Sequence, residues 1–149
     1  MTQNCHDASV QCDIEKIQFN HIKEKLQIPD LEPNKKLPLP GTPNSIIVPD
    51  FYSESAHIIG EIYSHLGKLK PAQLHKIAAD VLKMLLYEKA ANIQMNKIIV
   101  VCCKQTKEQL EGNSNLANAL RIFGVPVEYI PLPQNLEHQL HDAMKRQNW

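Results

Sequence analysis

The sequence predicts an α/β domain, a small mixed sheet flanked by helices, and three features carry that expectation. The stretch 71–90 places Leu74, Ile77, Ala78, Val81, Leu82, Leu85 and Leu86 at helical spacing. The run Lys97-Ile98-Ile99-Val100-Val101-Cys102-Cys103 is apolar on both alternations, as expected of a strand covered on both faces. From Lys97 onward, strand-like and helix-like segments alternate, which favours parallel pairing.

Taken in chain order, residues 1–12 read as a polar terminal segment without fixed structure, and residues 13–149 as one domain. Asp13 to Gln27 has a loose apolar stripe (Ile14, Ile17, Ile22, Leu26) with an acid at its start, so a helix is expected there. Pro29, Pro33, Pro38, Pro40 and Pro43 exclude a long helix or central strand over 28–44. A short edge strand near Lys36-Leu37 is the most that this connector is expected to hold. Ser45 to Val48 is a β-branched run ending at Pro49-Asp50, expected as a strand. Residues 51–55 then form a turn and 56–63 a second strand. Pro71 opens the helix 71–90 at a first-turn position where proline is tolerated. After the strand 97–103, a helical region covers about 106–123 with a break at Gly112-Asn113-Ser114, and Gly124 ends it. Val125 to Ile130, punctuated by Pro126 and Pro131, is expected at a sheet edge, and 135–147 as a terminal helix.

Composition narrows the function classes. The 149 residues carry 16 basic and 16 acidic side chains, so no strong overall positive field is available for nucleic acid, although a local basic groove remains open. No apolar run approaches a membrane span, and the first residues lack the basic start and apolar stretch of a signal peptide. A cytoplasmic protein with no membrane partner is expected. Cys5, His6 and Cys12 lack a second ligand pair at zinc spacing, so the four cysteines read as free thiols. His57 and His65 read as structural or surface residues, and neither Cys102 nor Cys103 as an activated nucleophile.

The chemistry-bearing residues gather around the strand pair. Ten residues separate Asp50 from Glu61, and two carboxylates at the ends of neighbouring strands can hold a hard divalent cation. The backbone carbonyl of Ile62 is a further oxygen, and His57, Ile59, Glu61 and Tyr63 are expected on one face. The following segment, Ser64 to Lys76, contains Lys68, Lys70 and Lys76 with Gln73 and no acid, which suits a phosphate track at a helix start.

Pro49-Asp50, ten residues, Glu61-Ile62-Tyr63, then an amphipathic helix and a buried strand, resembles the core of the PD-(D/E)XK nuclease-like superfamily over about residues 46–103. The resemblance implies a restriction-endonuclease-like core, magnesium or manganese held by Asp50 and Glu61, and DNA as substrate. Tyr63 stands where that family carries a lysine, so Lys70, or Lys68, is expected to supply the charge from the next helix. Lys68, Gln73 and Lys76 are then the expected backbone contacts. Three functions fit these residues. One is metal-dependent hydrolysis of DNA phosphodiesters, and another is a nuclease-like binding or assembly module without chemistry. The third is a small α/β ligand- or partner-binding domain, which residues 97–130 alone would allow. No GxGxxG or GxxxxGK[ST] loop supports a nucleotide site, and a homo-oligomer is compatible with the sequence.

Overall fold

The computed structural model describes residues 5–147, with side chains from Cys12 to Arg146, so those of Cys5 and His6 lie outside the described residues. Its elements in chain order are α1 (Cys5–Leu26), β1 (Glu32–Pro33), β2 (Leu37–Pro38), β3 (Ile46–Ile47), β4 (Phe51–Ser53) and β5 (Ile58–Tyr63). They continue with α2 (Pro71–Ala91), β6 (Asn96–Val101), α3 (Lys104–Leu110), α4 (Asn115–Ile122), β7 (Val127–Tyr129) and α5 (Gln134–Gln147). Five strands form a mixed sheet in the order β1-β4-β5-β6-β7, antiparallel at β1/β4 and β4/β5 and parallel at β5/β6 and β6/β7. β2 and β3 form a separate two-stranded sheet. The expected mixed α/β architecture is therefore present.

Helices cover both faces. On one face α1 and the strands bury Ile22, Leu31, Phe51, Ile58, Ile98 and Val100, and α5 extends this layer through Leu136 and Leu140 beside Ile14 of α1. On the other face α2 packs Ile77, Val81, Met84 and Tyr87 against Ile59, Tyr63, Ile99 and Val101. β6, flanked by β5 and β7, is the interior strand that its apolar run predicts. Its one cation, Lys97, is buried and paired with Glu88 of α2 at 2.6 Å.

Several boundaries differ from the sequence reading, for identifiable reasons. α1 begins by Cys5, so part of the expected unstructured segment 1–12 is helix, and Asp13 lies inside it; residues 1–4 fall outside the described residues. Ala8 and Val10 tolerate helix, and nothing in 5–12 breaks one. The run 45–48 is not a strand of the main sheet. Between Pro43 and Pro49 only Ile46–Ile47 pairs, and its partner is the proline-containing β2; Ile46 and Val48 are exposed. The strand beside β5 is instead β4, in the segment expected to be a turn. Its three residues are all buried, and the turn follows at Glu54–His57. Asp30 fixes that turn, its carboxylate accepting from Ser53 Oγ (2.7 Å) and from the Ser55 N–H (3.1 Å). The main sheet's outer strands are β7, at the edge where 125–130 is expected, and β1, where Pro33 is tolerated because an edge position needs no second partner. On α2 the buried stripe is narrower than expected, since Ala78, Leu82 and Leu86 face outward, Leu74 and Leu85 are half-buried, and Asp80 faces inward. Among the described residues, no helix is long and apolar enough to cross a membrane.

Candidate functional site

Asp50 and Glu61 meet because β4 and β5 pair antiparallel with Phe51 opposite Gly60. One further step along the ladder sets Asp50 opposite Glu61. Asp50 therefore stands at the start of a strand, not at the end of one as its position after Val48 suggests. Gly60 makes the pairing possible. The Phe51 ring occupies the space beside it, and a Cβ built on Gly60 would lie 2.0 Å from Phe51 Cζ. The Asp50 carboxylate replaces the next rung of the ladder, its Oδ2 accepting from the Ile62 N–H at 2.7 Å.

Glu61 alternates with Ile59 and Tyr63 and points toward α2, where it is buried. Burial raises its pKa first, and a hydrogen bond to Asp50 and the charges of Asp50 and Asp80 raise it further, to about 9. Without a cation, Glu61 thus keeps its proton near neutral pH. Tyr63, in the position of the family's lysine, donates its hydroxyl to Asp80 Oδ2 at 2.7 Å, and burial with that bond keeps the phenol protonated. Asp80 also lies 3.7 Å from Lys83 Nζ.

Two adjoining cavities reach the edge of this cluster, one at Asp50 and the other at Tyr63, with Glu15 and Ile62 in the walls of both; buried Glu61 and Asp80 line neither. Asp50, Phe19 and Asn34 line one of about 380 Å3. Tyr63, His65, Lys70, Gln73 and Lys76 line the other, of about 320 Å3. Glu15, on α1, is a participant that the sequence reading does not contain. Its pKa is raised by burial and by the Asp50 charge and lowered by Lys76, which places an acid and a lysine together at the mouth. Asp80 is the second such residue, and it has a visible signal: it is the one acid among the inward positions Ile77, Val81 and Met84.

The remaining predicted residues are distributed as follows. Lys70 is exposed at the N-cap of α2 and lines the second cavity. Gln73 is engaged locally, its Oε1 accepting from the Lys70 N–H (2.8 Å) and its Nε2 2.9 Å from His65 Nδ1. A carboxamide nitrogen only donates, so His65 Nδ1 is the acceptor. Burial and, to a smaller degree, the Lys70 charge lower the pKa of His65, which fits a neutral ring. Lys68 is exposed in the loop and lines neither cavity. His57 is not on the strand face with Glu61; it is exposed in the preceding turn with φ of 50°. Cys12, Cys102 and Cys103 are free thiols. Burial pushes Cys102 up to about 12. For Cys103 burial is outweighed by backbone hydrogen bonds, Gly67 N–H among them, and the net shift is downward. Among the described residues, no group of three or more His, Cys, Asp or Glu side chains is arranged to hold a metal ion. Any cation here would rest on two carboxylates and backbone or water oxygens.

Comparison with known protein families, with curated proteins and with solved structures finds no match to this chain.

The raised pKa of Glu61 has a measurable consequence. In a metal-free protein, the stability contributed by protonated Glu61 is complete below its ordinary value of 4.5 and is lost as pH rises toward about 9. Urea titrations in a chelator at pH 5 and pH 9 are expected to show stability falling across that window. Glu61→Gln, which cannot ionise, is expected to flatten the slope, and an unchanged slope would show that Glu61 ionises as it does in the unfolded chain.

Proposed function

We propose that this domain holds a divalent metal ion between Asp50 and Glu61 and hydrolyses phosphodiesters in DNA. The observation that carries the reading is the cross-strand carboxyl pair, which without a cation needs a proton to coexist in a buried place. A divalent cation removes the same repulsion while leaving both groups ionised. Magnesium suits a pair rather than a larger cage, since it retains several waters and takes one or two carboxylates. The Ile62 carbonyl supports the donor set. In a strand the N–H and C=O of one residue point to the same side, and the Ile62 N–H is aimed at Asp50. When bound, such an ion polarises a phosphoryl oxygen and lowers the pKa of a coordinated water.

The chain's own residues then divide the work. Asp50 and Glu61 bind the cation. Lys76, whose charge reaches Glu15 beside Asp50, stabilises the developing negative charge more directly than Lys70, which stands further out at the helix start. Lys70 and Lys68 guide the DNA backbone toward the cavity, and Gln73 holds the Lys70 N–H and His65 in place. Tyr63, being tied to Asp80, takes no proton from water.

That last observation favours a second reading, a nuclease-like module that binds DNA or a metal without cleaving. The test is incubation of purified protein with single-stranded, double-stranded and branched DNA in magnesium and in manganese. Cleavage that chelator abolishes and Glu61→Gln lacks supports the enzymatic reading. Intact DNA under all conditions, with metal binding retained, replaces it with the second.

A further inference from the structure

We infer that the outward face of α2 is a docking surface for an acidic amphipathic helix of a partner protein. The helix carries two stripes. The inward one packs on the sheet, as described above. The outward one runs His75, Ala79, Leu82, Leu86 and Lys89, spaced by alternating steps of four and three residues, and all five are exposed. Leu82 is 66% exposed and Leu86 47% exposed, values that side-chain burial within this domain does not account for. That spacing is the seam of two helices packed knobs into holes. Ala78 and Ala79 add small side chains that allow a second helix to approach closely. Beyond the C-terminus of α2 the stripe continues into a groove of about 650 Å3, where Leu85, Lys89, Ile93 and Phe123 form part of the wall. Phe123 is itself 52% exposed.

Charge selects the occupant. Lys76, Lys83 and Lys89 are exposed along α2, and its two acids are already engaged: Asp80 is buried against Tyr63 and lies 3.7 Å from Lys83, and Glu88, in the wall of the groove, is bonded to Lys97 and to the Met95 N–H. The face is apolar, with Lys76 and Lys83 along one flank and Lys89 at its C-terminal end. A second copy of this chain docked through the same stripe would set lysine rows against each other. A membrane surface is disfavoured because the stripe is short, offers two leucines and one alanine, and holds no Trp, Tyr or Phe, Tyr87 being turned inward. A partner helix with leucines along its seam and glutamates beside them matches both properties.

The probe is a synthetic three-heptad peptide with leucine at the a and d positions and glutamate at e and g, titrated into the intact protein by fluorescence anisotropy and by amide NMR. Saturable binding is expected, with shifts centred on residues 78–93. Leu82→Ser with Leu86→Ser is expected to weaken it at least tenfold while the melting temperature and any DNA cleavage stay unchanged. Lys89→Glu is expected to weaken it and to improve binding of the matching peptide with lysine at e and g. Absence of binding, or binding indifferent to these substitutions, overturns the proposal. So does binding to phosphatidylserine vesicles in place of the peptide, or a dimer in sedimentation equilibrium that the two serine substitutions dissolve. None of these readouts depends on the metal site, so failure here leaves the proposed chemistry standing.

Discussion

Gly60→Ala is expected to destabilise the protein by about 3 kcal/mol or more, at the upper end of what overpacking a core costs. The added Cβ would meet three atoms of the Phe51 ring at 2.0, 2.3 and 2.6 Å. The ring cannot swing aside cheaply, because Phe51 is wholly buried among Ile22, Leu31, Ile58 and Ile98. The same displacement reaches the site, since Phe51 follows Asp50 and Gly60 precedes Glu61 in their strands. Chemical denaturation measures the loss, and Phe51→Leu supplies the control. If ring contact is the cause, the double variant Phe51→Leu/Gly60→Ala will be more stable than the sum of the single effects predicts. Strict additivity would show that the glycine is needed for some other reason.

On the proposed function, Asp50→Ala and Glu61→Ala are each expected to lower metal-dependent DNA cleavage by on the order of 10^3-fold or more, because each would remove one of the two charged oxygen donors proposed for the cation. Their effects on the fold should differ. Asp50→Ala also strips the Ile62 N–H of its 2.7 Å acceptor, for a stability loss of roughly 1–3 kcal/mol. Glu61→Gln keeps the shape and relieves a buried acid, so it is expected to be neutral or stabilising above pH 7. Lys76→Ala is expected to retain the cation and lower turnover by roughly 10^2-fold. Lys70→Ala is expected to have a smaller effect, chiefly on DNA affinity. If Lys70→Ala proves more damaging than Lys76→Ala in turnover, the charge is supplied from the helix start, as the sequence alone suggests.

The elements legible in the sequence are those whose period is long enough to repeat. α2 and β6 are of this kind, while the Gly112–Ser114 break between α3 and α4 and the stop at Gly124, whose φ is 68°, are legible from local turn residues. β4 is not. Its three residues, Phe51 to Ser53, follow a proline and an aspartate that favour turns, and only pairing with β5 on one side and β1 on the other makes them a strand. β1 is hidden by Pro33 for the same reason. On α2, seven apolar residues cover an arc wider than the sheet can bury. Which of them face inward is decided by packing, and Leu82 and Leu86 lose that competition to Met84 and Tyr87. At the site, the Asp50-to-Glu61 interval is long enough for a hairpin, so their juxtaposition is readable although the strand beneath Asp50 is not. Glu15 carries no such signal. It reaches Asp50 only through the crossing of α1 over the sheet, which depends on contacts among residues far apart in the chain.

The measurement that bears most directly on the central claim is calorimetric titration of the full chain with manganese at pH 7 in buffers of different ionisation enthalpy. If Glu61 exchanges its proton for a cation held together with Asp50, binding will be saturable and will release about one proton per ion, as metal binding to a protonated site requires. The release will vanish in Glu61→Gln, together with the affinity. No saturable binding, or binding without proton release and unaffected by Glu61→Gln, would show that the carboxyl pair is a buried structural acid pair and not a metal site.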